Sequence, residues 1–597
     1  MMKSNILGKT MAVLPFVNRS TSKDNEFFSD GITEEIINAL GQIKGLKVTS
    51  RTSSFAFKNE DLPIPQIAEK LKVSTILEGS VRLSGKKVRI TAQLIDAIED
   101  SQFWSDSWDR SIENIFEVQD EISLLIADKL REHFGHLEIQ EHLFIPQTES
   151  VDAYSYSLQA TFYKNKWNPD DVNKSIELYK KGLQLDAHHT SSLLGLADAY
   201  SFLAMVGFMD FVEAWKLTEQ YINQALKINA NLPSAYYLMA NHAIFTECDF
   251  KKAFEYTKKS IIIQPNYVEG QQFLSFLYII AGKEKLARKH LKIAIDINPL
   301  SQETWFYNGY IDYMSGNYSK ALSKMDQCME ANPNNIPAIS VKSLCLIKIG
   351  RQQEVIQLFR ELSPNITIES EKTGSLLIAY TALHDKKNAD QQMARIKEQS
   401  ITPNGFTAQS YLFLLPAFCN DADKAFEWVK DAWEKKSSLL LLRYNDPIAI
   451  GIREDSRYND YQNLLFPESV LTEIRSTKKV LLSKDAQIKH TKELVEIMEK
   501  EEPYLDSSLT LRSLAQMIQI HPNQLSWLLN ESLGKNFNEY VNAFRIEKFK
   551  SLAKDSKNSH ITLIGLGYES GFSSKTVFNT YFKKATGITP KQYLKSL

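Results

Sequence analysis

Long apolar runs are missing from this 597-residue chain. The longest, Phe273–Ala281 and Leu439–Leu442, fall far short of the roughly twenty residues that span a bilayer. The opening stretch MMKSNILGKT has no apolar core of the kind a secretory leader carries. Cysteine is also scarce. Cys248, Cys328, Cys345 and Cys419 are scattered and show no C-x-x-C spacing, which argues against a disulfide framework and suits a reducing compartment. Neither G-x-G-x-x-G nor G-x-x-x-x-G-K-[ST] occurs, so the usual phosphate-cradling loops are absent. His133, His136 and His142 lie close together, the first two at i, i+3, but a third ligand of matching geometry is not evident. The expectation is a cytoplasmic protein without cofactor, metal site, membrane span or nucleophile–base set, and so not an enzyme.

The composition is that of a folded chain: 43% hydrophobic and 24% charged residues. The length calls for several domains of about 150 residues each. A net charge of −2 would ordinarily argue against a polyanionic partner, but it averages over unlike regions. From Gly534 onward there are eleven lysine and arginine residues against four carboxylates, an excess of seven positive charges. That local excess is the electrostatic footprint of nucleic-acid binding, although a solvated lysine-rich face would look alike.

Residues 9–135 read as an α/β layer. Met11–Val17 is a buried strand, and Ser29 and Asp30 stand where an N-cap belongs, ahead of Ile32, Ile36, Ile37 and Leu40 at helical spacing. A phosphate held at Asp30-Gly31 is the functional alternative to a simple cap. Leu46–Ser50 is a second strand and Pro63–Leu71 a second helix. Thr75–Leu83 and Lys86–Ala97 form a hairpin, the latter alternating with a period of two. Ser101–Arg110 adds a strand, and Ile112–Phe134 a long amphipathic helix. The stretches FFSDGITEEI, RTSSFAF, ILEGSV and VRITAQLID resemble the TolB-type domain found ahead of tetratricopeptide arrays in bacterial regulators. The resemblance implies a fold but no chemistry.

Residues 150–465 repeat. Pro265, Pro299 and Pro333 are 34 residues apart, as are Gly282, Gly316 and Gly350, and Ala253, Ala287 and Ala321. A 34-residue helix–turn–helix period is the tetratricopeptide signature: small residues let two helices approach, and proline closes the unit. Earlier units end near Leu185-Asp186 and Ile228-Asn229, the latter after an insertion at Met205–Glu213. Such arrays offer a concave surface to an extended peptide or helix, so a protein partner at the groove is expected. The aromatics Tyr236, Tyr237, Phe273, Tyr278, Trp305, Tyr307 and Tyr310 read as core and not as a ligand cage. Beyond Pro364 the period loosens, Asn445–Tyr461 reads as the cap of the array, and 466–489 as a linker.

Residues 490–597 carry two similar units. Leu511–Ile518, a turn at Ile520-His521 and a helix opened by Pro522 make one helix-turn-helix. After the long helix Phe537–Ala553 the pattern returns as Ile561–Gly567, a turn at Glu569–Gly571 and a helix from Ser574. Two such units can place two recognition helices in successive major grooves. The blocks HPNQLSWLLNESLGKNFNEYVNAFRIEKFKSL and GFSSKTVFNTYFKKATGITPKQY resemble the AraC/XylS family of transcription regulators. That resemblance implies binding to duplex promoter DNA. It puts Asn523, Gln524, Ser526, Trp527 and Asn530 on the first recognition helix and Ser574, Lys575, Thr576, Asn579 and Thr580 on the second. Asparagine can pair bidentately with adenine and a threonine methyl can touch thymine. Arg545, Lys583 and Lys584 would meet phosphates. Trp527, Thr580 and Gly565 depart from the family's usual residues, and Gly565 and Gly567 should weaken their short helix by up to about 1 kcal/mol each.

The fold expected is multidomain α+β: an N-terminal α/β domain, an all-α tetratricopeptide superhelix and a C-terminal all-α double helix-turn-helix. Its function would be that of a regulator whose first two regions sense a ligand or partner. The alternative is an interaction scaffold whose DNA binding is weak or vestigial.

Overall fold

The computed structural model describes the chain except for residues 1–7, 22–24, 145–146, 166–168, 206–207, 334, 363–368, 403–404, 474–479 and 559. Pro364, beyond which the period is expected to loosen, residues 474–479 of the expected linker, and residues 206–207 of the insertion lie outside the described residues.

The N-terminal region is a mixed sheet of β1 (Thr10–Val13), β2 (Val17–Asn18), β3 (Lys47–Val48), β4 (Thr75–Ser84), β5 (Lys87–Asp96) and β6 (Ser101–Ser111). Its order is β3-β1-β4-β5-β6, with β2 also on β4. β1 runs parallel to β3 and β4, while β4, β5 and β6 are antiparallel neighbours. All four residues of β1 are buried because helices cover both faces of the sheet there. Met11 and Val13 share a core with α1 (Glu26–Gly41) and α4 (Ile115–Phe134). Ala12 packs on the other side with α3 (Ile64–Leu71).

Some of these elements differ from expectation: Met11–Val17 is not one buried strand but β1 and the start of β2, with Val17 exposed. Ser29 and Asp30 do not cap α1; the helix starts at Glu26 and both lie buried inside it. Asp30 is tolerated there because Lys58 donates to its carboxylate at 2.6 Å, so the Asp30-Gly31 amides are intrahelical and not free to meet a phosphate. The sequence RTSSF, which carries no strong periodicity, forms a further short helix, α2 (Arg51–Phe55), capped by Ser50.

From Val151 to Glu434 the chain is a series of antiparallel helix pairs. Val268–Ile280 pairs with Glu284–Ile297, Gln302–Met314 with Tyr318–Ala331, and Ile336–Lys348 with Gln352–Glu361. Ala253, Ala287 and Ala321 are fully buried at the close approaches. Gly282, Gly316 and Gly350 have φ near +80°, which only glycine adopts without strain. The same backbone turn recurs 34 residues before and after this run, at Cys248 (φ +56°) and His384 (φ +58°). The repeat therefore continues past the point where its glycines stop. Gly316→Ala would meet open space yet force alanine to φ +80°, costing about 1 kcal/mol or more. His384→Gly is expected to stabilise by roughly 0.5–1 kcal/mol, because it relieves a left-handed non-glycine residue. Thermal unfolding of the two variants should move in opposite directions.

Asn445–Tyr461 folds back on the array. Asn445 donates to the Ile280 carbonyl at 2.8 Å, Tyr313 donates to the buried Asp446, and Phe466 meets Phe250 with ring centroids 5.3 Å apart. Val470 and Leu471 are buried in the same core, so much of the segment expected to be a linker is packed. Of the aromatics expected in the core, Tyr236, Phe273, Tyr278 and Tyr310 are buried and Tyr237 and Tyr307 pack against it, but Trp305 is exposed.

The C-terminal region comprises α5 (Lys484–Lys500), α6 (Leu511–Met517), α7 (Pro522–Leu533), α8 (Phe537–Lys554), α9 (Leu563–Glu569), α10 (Lys575–Thr586) and α11 (Pro590–Lys595). It has two small cores. Leu514, Leu525, Leu529 and Val541 centre the first; Phe549, Phe572, Phe578 and Phe582 centre the second. The long α8 contributes to both. Among the described residues no helix is long and apolar enough to cross a membrane.

Candidate nucleic-acid interface

Helices of the C-terminal module are started by local devices. Thr510 and Ser513 form a capping box at α6, His521 and Gln524 do so at α7 with Pro522 at the first turn, and Asn536 and Glu539 at α8. The Thr562 hydroxyl accepts from Gly565 at α9, and the Ser574 hydroxyl accepts from Val577 at α10. Gln524 and Ser574, both expected to touch DNA, are thus engaged as helix caps. The glycines of α9 also do packing work: a Cβ on Gly567 would come within 3.1 Å of Phe578.

The second recognition helix lies largely open. Lys575, Thr576, Thr580, Lys583 and Lys584 are exposed and Asn579 is half-buried. Lys575, Thr576, Asn579, Thr580 and Lys583 fall on one stripe at i, i+1, i+4, i+5 and i+8. Phe578 and Phe582 face the opposite way, into the core. Lys584 is held by Glu539 at 2.9 Å, whereas Lys575 and Lys583 have no carboxylate partner among the described residues.

The first recognition helix is different. Its outward face, expected to be open, packs against the end of α4 and the segment that follows it. Ser526 is buried, with its hydroxyl 2.8 Å from His136 Nδ1. Asn523 accepts from Arg131 at 2.7 Å and from the Ile139 amide at 3.2 Å, and donates to the Ile139 carbonyl at 2.9 Å. Asn530 lies over Gly135, where a Cβ would sit 2.4 Å from its Oδ1. Trp527 is half-buried. Around this contact Asp128 pairs with Arg512, Glu132 accepts from the Leu511 amide at 3.1 Å, and Asn536 donates to the His133 carbonyl at 2.9 Å. Burial, with Lys9 and Arg131 nearby, lowers the His136 imidazole to about 4, so the contact holds it neutral.

Arg545 also sits elsewhere than expected. It is buried, not on the phosphate-facing surface, donating from Nε to the Tyr504 carbonyl at 2.7 Å and from Nη2 to the Asp506 carbonyl at 2.9 Å. Burial pulls its guanidinium down to about 10. The three histidines do not converge. His133 stacks on Phe103, His136 meets Ser526, and His142 meets Asp120.

Sequence reasoning did not find Asp128, Glu132 and Ile139 as residues acting on this face. They carry no motif; only the cluster His133, His136 marked the neighbourhood.

Residues 514–596 match the family described as a helix-turn-helix domain. Residues 7–125, the stretch likened to a TolB-type domain, match the HilA/YgeH-like transcriptional regulator, second domain. The chain is 34% identical over 220 residues to "Putative adenylate cyclase 3" of Rhizobium meliloti, covering 36% of each protein. It is 19% identical over 329 residues to "Transcriptional regulator HilA" of Salmonella typhimurium, covering 53% of this chain and 52% of that one. The chain thus spans between about a third and a half of the length of these curated relatives. Among solved structures, a tetratricopeptide repeat protein from Parabacteroides merdae aligns with a TM-score of 0.32 at 15% identity, over 44% of this chain and 98% of its own. By these two family matches and by its 34-residue repeat of helix pairs, the chain joins a HilA/YgeH-like regulator domain, through a tetratricopeptide array, to an AraC-type helix-turn-helix domain at its carboxyl end.

Proposed function

We propose that this chain is a transcription regulator that binds promoter DNA sequence-specifically and works in the cytoplasm. The observation that carries the reading is the open stripe of α10. Lys575 and Lys583 bracket Thr576, Asn579 and Thr580 on one face, with neither lysine paired to a carboxylate among the described residues. Lysines suit phosphates, and the three short polar side chains suit base edges in the major groove. On α7, Asn523, Ser526, Trp527 and Asn530 would serve the neighbouring half-site once that face is exposed, since two such helices on one module suit successive grooves. The array and the N-terminal domain are read as the input side, taking a peptide, protein or small ligand.

Gel shifts of the full chain, with duplexes recovered by selection from a random-sequence pool, test this. Binding should be sequence-specific and fall steeply with salt. Lys575→Ala and Lys583→Ala should each reduce the salt slope by about one unit. A chain that captures peptides through the array but selects no duplex would be the scaffold instead.

A further inference from the structure

The contact between α7 and the N-terminal domain has a specific chemistry. An asparagine reads adenine by accepting from its amino group and donating to its ring nitrogen. Asn523 already makes that pair of bonds, to the amide and carbonyl of Ile139. The main chain of Ile139, through its N–H and its C=O, thus presents one donor and one acceptor, as the adenine edge does. Beside it, Asp128 holds the Arg512 guanidinium and Glu132 holds the Leu511 amide. A guanidinium and a backbone amide are donors of the kind that take phosphate oxygens, and here two carboxylates occupy them. Ser526 and Asn530 complete the covered face against His136 and Gly135.

We propose that the end of α4 and the segment through Ile139 imitate a DNA edge and occupy the base-reading face of the first unit, so that this unit engages DNA only after the N-terminal domain releases it. The inference rests on the DNA-binding reading above. It adds that the chain holds one recognition helix covered and the other open. The covering domain is itself anchored on the array: Lys47 pairs with Asp296 at 2.8 Å, Ser53 donates to Asn298 at 2.6 Å, and Asn266 donates to the Leu46 carbonyl at 2.9 Å. A partner seated on those repeats is therefore positioned to pull on the contact.

The test uses the full chain carrying Asp128→Asn, Glu132→Gln and His136→Ala together, none of which belongs to the DNA-reading set. Duplexes recovered from a random-sequence pool should bind this variant tighter than the wild type by roughly tenfold or more, the factor by which the competent state is under-populated. In the wild type, hydrogen exchange at the Ile139 amide should be slow without DNA and accelerate when the selected duplex is added. The exchange measurement needs no variant, so it decides the matter even if the triple substitution unfolds the domain. Equal or weaker binding by a folded variant, or an Ile139 amide that stays protected in the complex, would overturn the proposal. If neither protein selects any duplex, the DNA-binding reading fails and this inference falls with it. That outcome differs from duplexes that bind both proteins alike.

Discussion

Gly571→Ala should destabilise the C-terminal module by about 3–5 kcal/mol and abolish specific DNA binding. Gly571 closes the turn between α9 and α10 at φ +92°, where an L side chain is already strained. The larger effect is steric. A Cβ there would lie 2.1 Å from the Tyr504 carbonyl oxygen and 2.9 Å from the Leu505 Cα, both backbone atoms with no rotamer to yield. Either the 503–506 segment moves or the second unit tilts, and both change where α10 points. Thermal unfolding should show a transition of the C-terminal module lowered on the order of ten degrees or more. A variant with wild-type melting and wild-type affinity would show that the turn has slack the geometry denies.

Arg545→Ala is expected to cost about 3 kcal/mol in the same module. Its guanidinium satisfies the Tyr504 and Asp506 carbonyls, reaches Asn542 at 3.2 Å and lies 6.0 Å from the Phe572 ring centroid. It thus ties the loop ahead of α6 to α8 and to the second core. Removing it leaves two carbonyls without their donor and a gap where the side chain was. Arg545→Lys should rescue little, since one ammonium cannot reach both carbonyl acceptors that the forked guanidinium donors span. Because Gly571 and Arg545 both act on the Tyr504 carbonyl, the double variant should lose less than the sum of the two. A phosphate-contacting residue would behave otherwise: its loss would weaken DNA binding and leave the melting transition in place. Unfolding curves of Arg545→Ala without DNA discriminate between the two roles.

Features that answer to local stereochemistry were legible in the residues. Pro265, Pro299 and Pro333 end helices and Ala253, Ala287 and Ala321 let helices approach, so the 34-residue spacing could be read directly; Gly282, Gly316 and Gly350 share the spacing but sit in turns of positive φ with open space around them, not at the helix contacts expected of them. The array's further turns at Cys248 and His384 were not legible, because neither residue type is reserved for that conformation. Ser29 and Asp30 look like caps in isolation; a lysine 28 positions on from Asp30 lets that carboxylate lie within the helix instead. The double helix-turn-helix was visible for the same local reasons: Pro522 opens one helix, and the turn at Glu569–Gly571 precedes its counterpart.

By itself the sequence determined the kinds of element, their order, the repeat period and the local positive excess at the carboxyl end. These follow from neighbours within a few residues along the chain. Only the tertiary structure decided which recognition helix is open. Asn523 and Ile139 meet across 384 positions, and helical periodicity can say which face of α7 points away from its own core but not what another domain lays against it. The same reason separates Lys583, left in water, from Arg545, turned inward onto backbone carbonyls: a basic side chain carries no local mark of the surface it will meet.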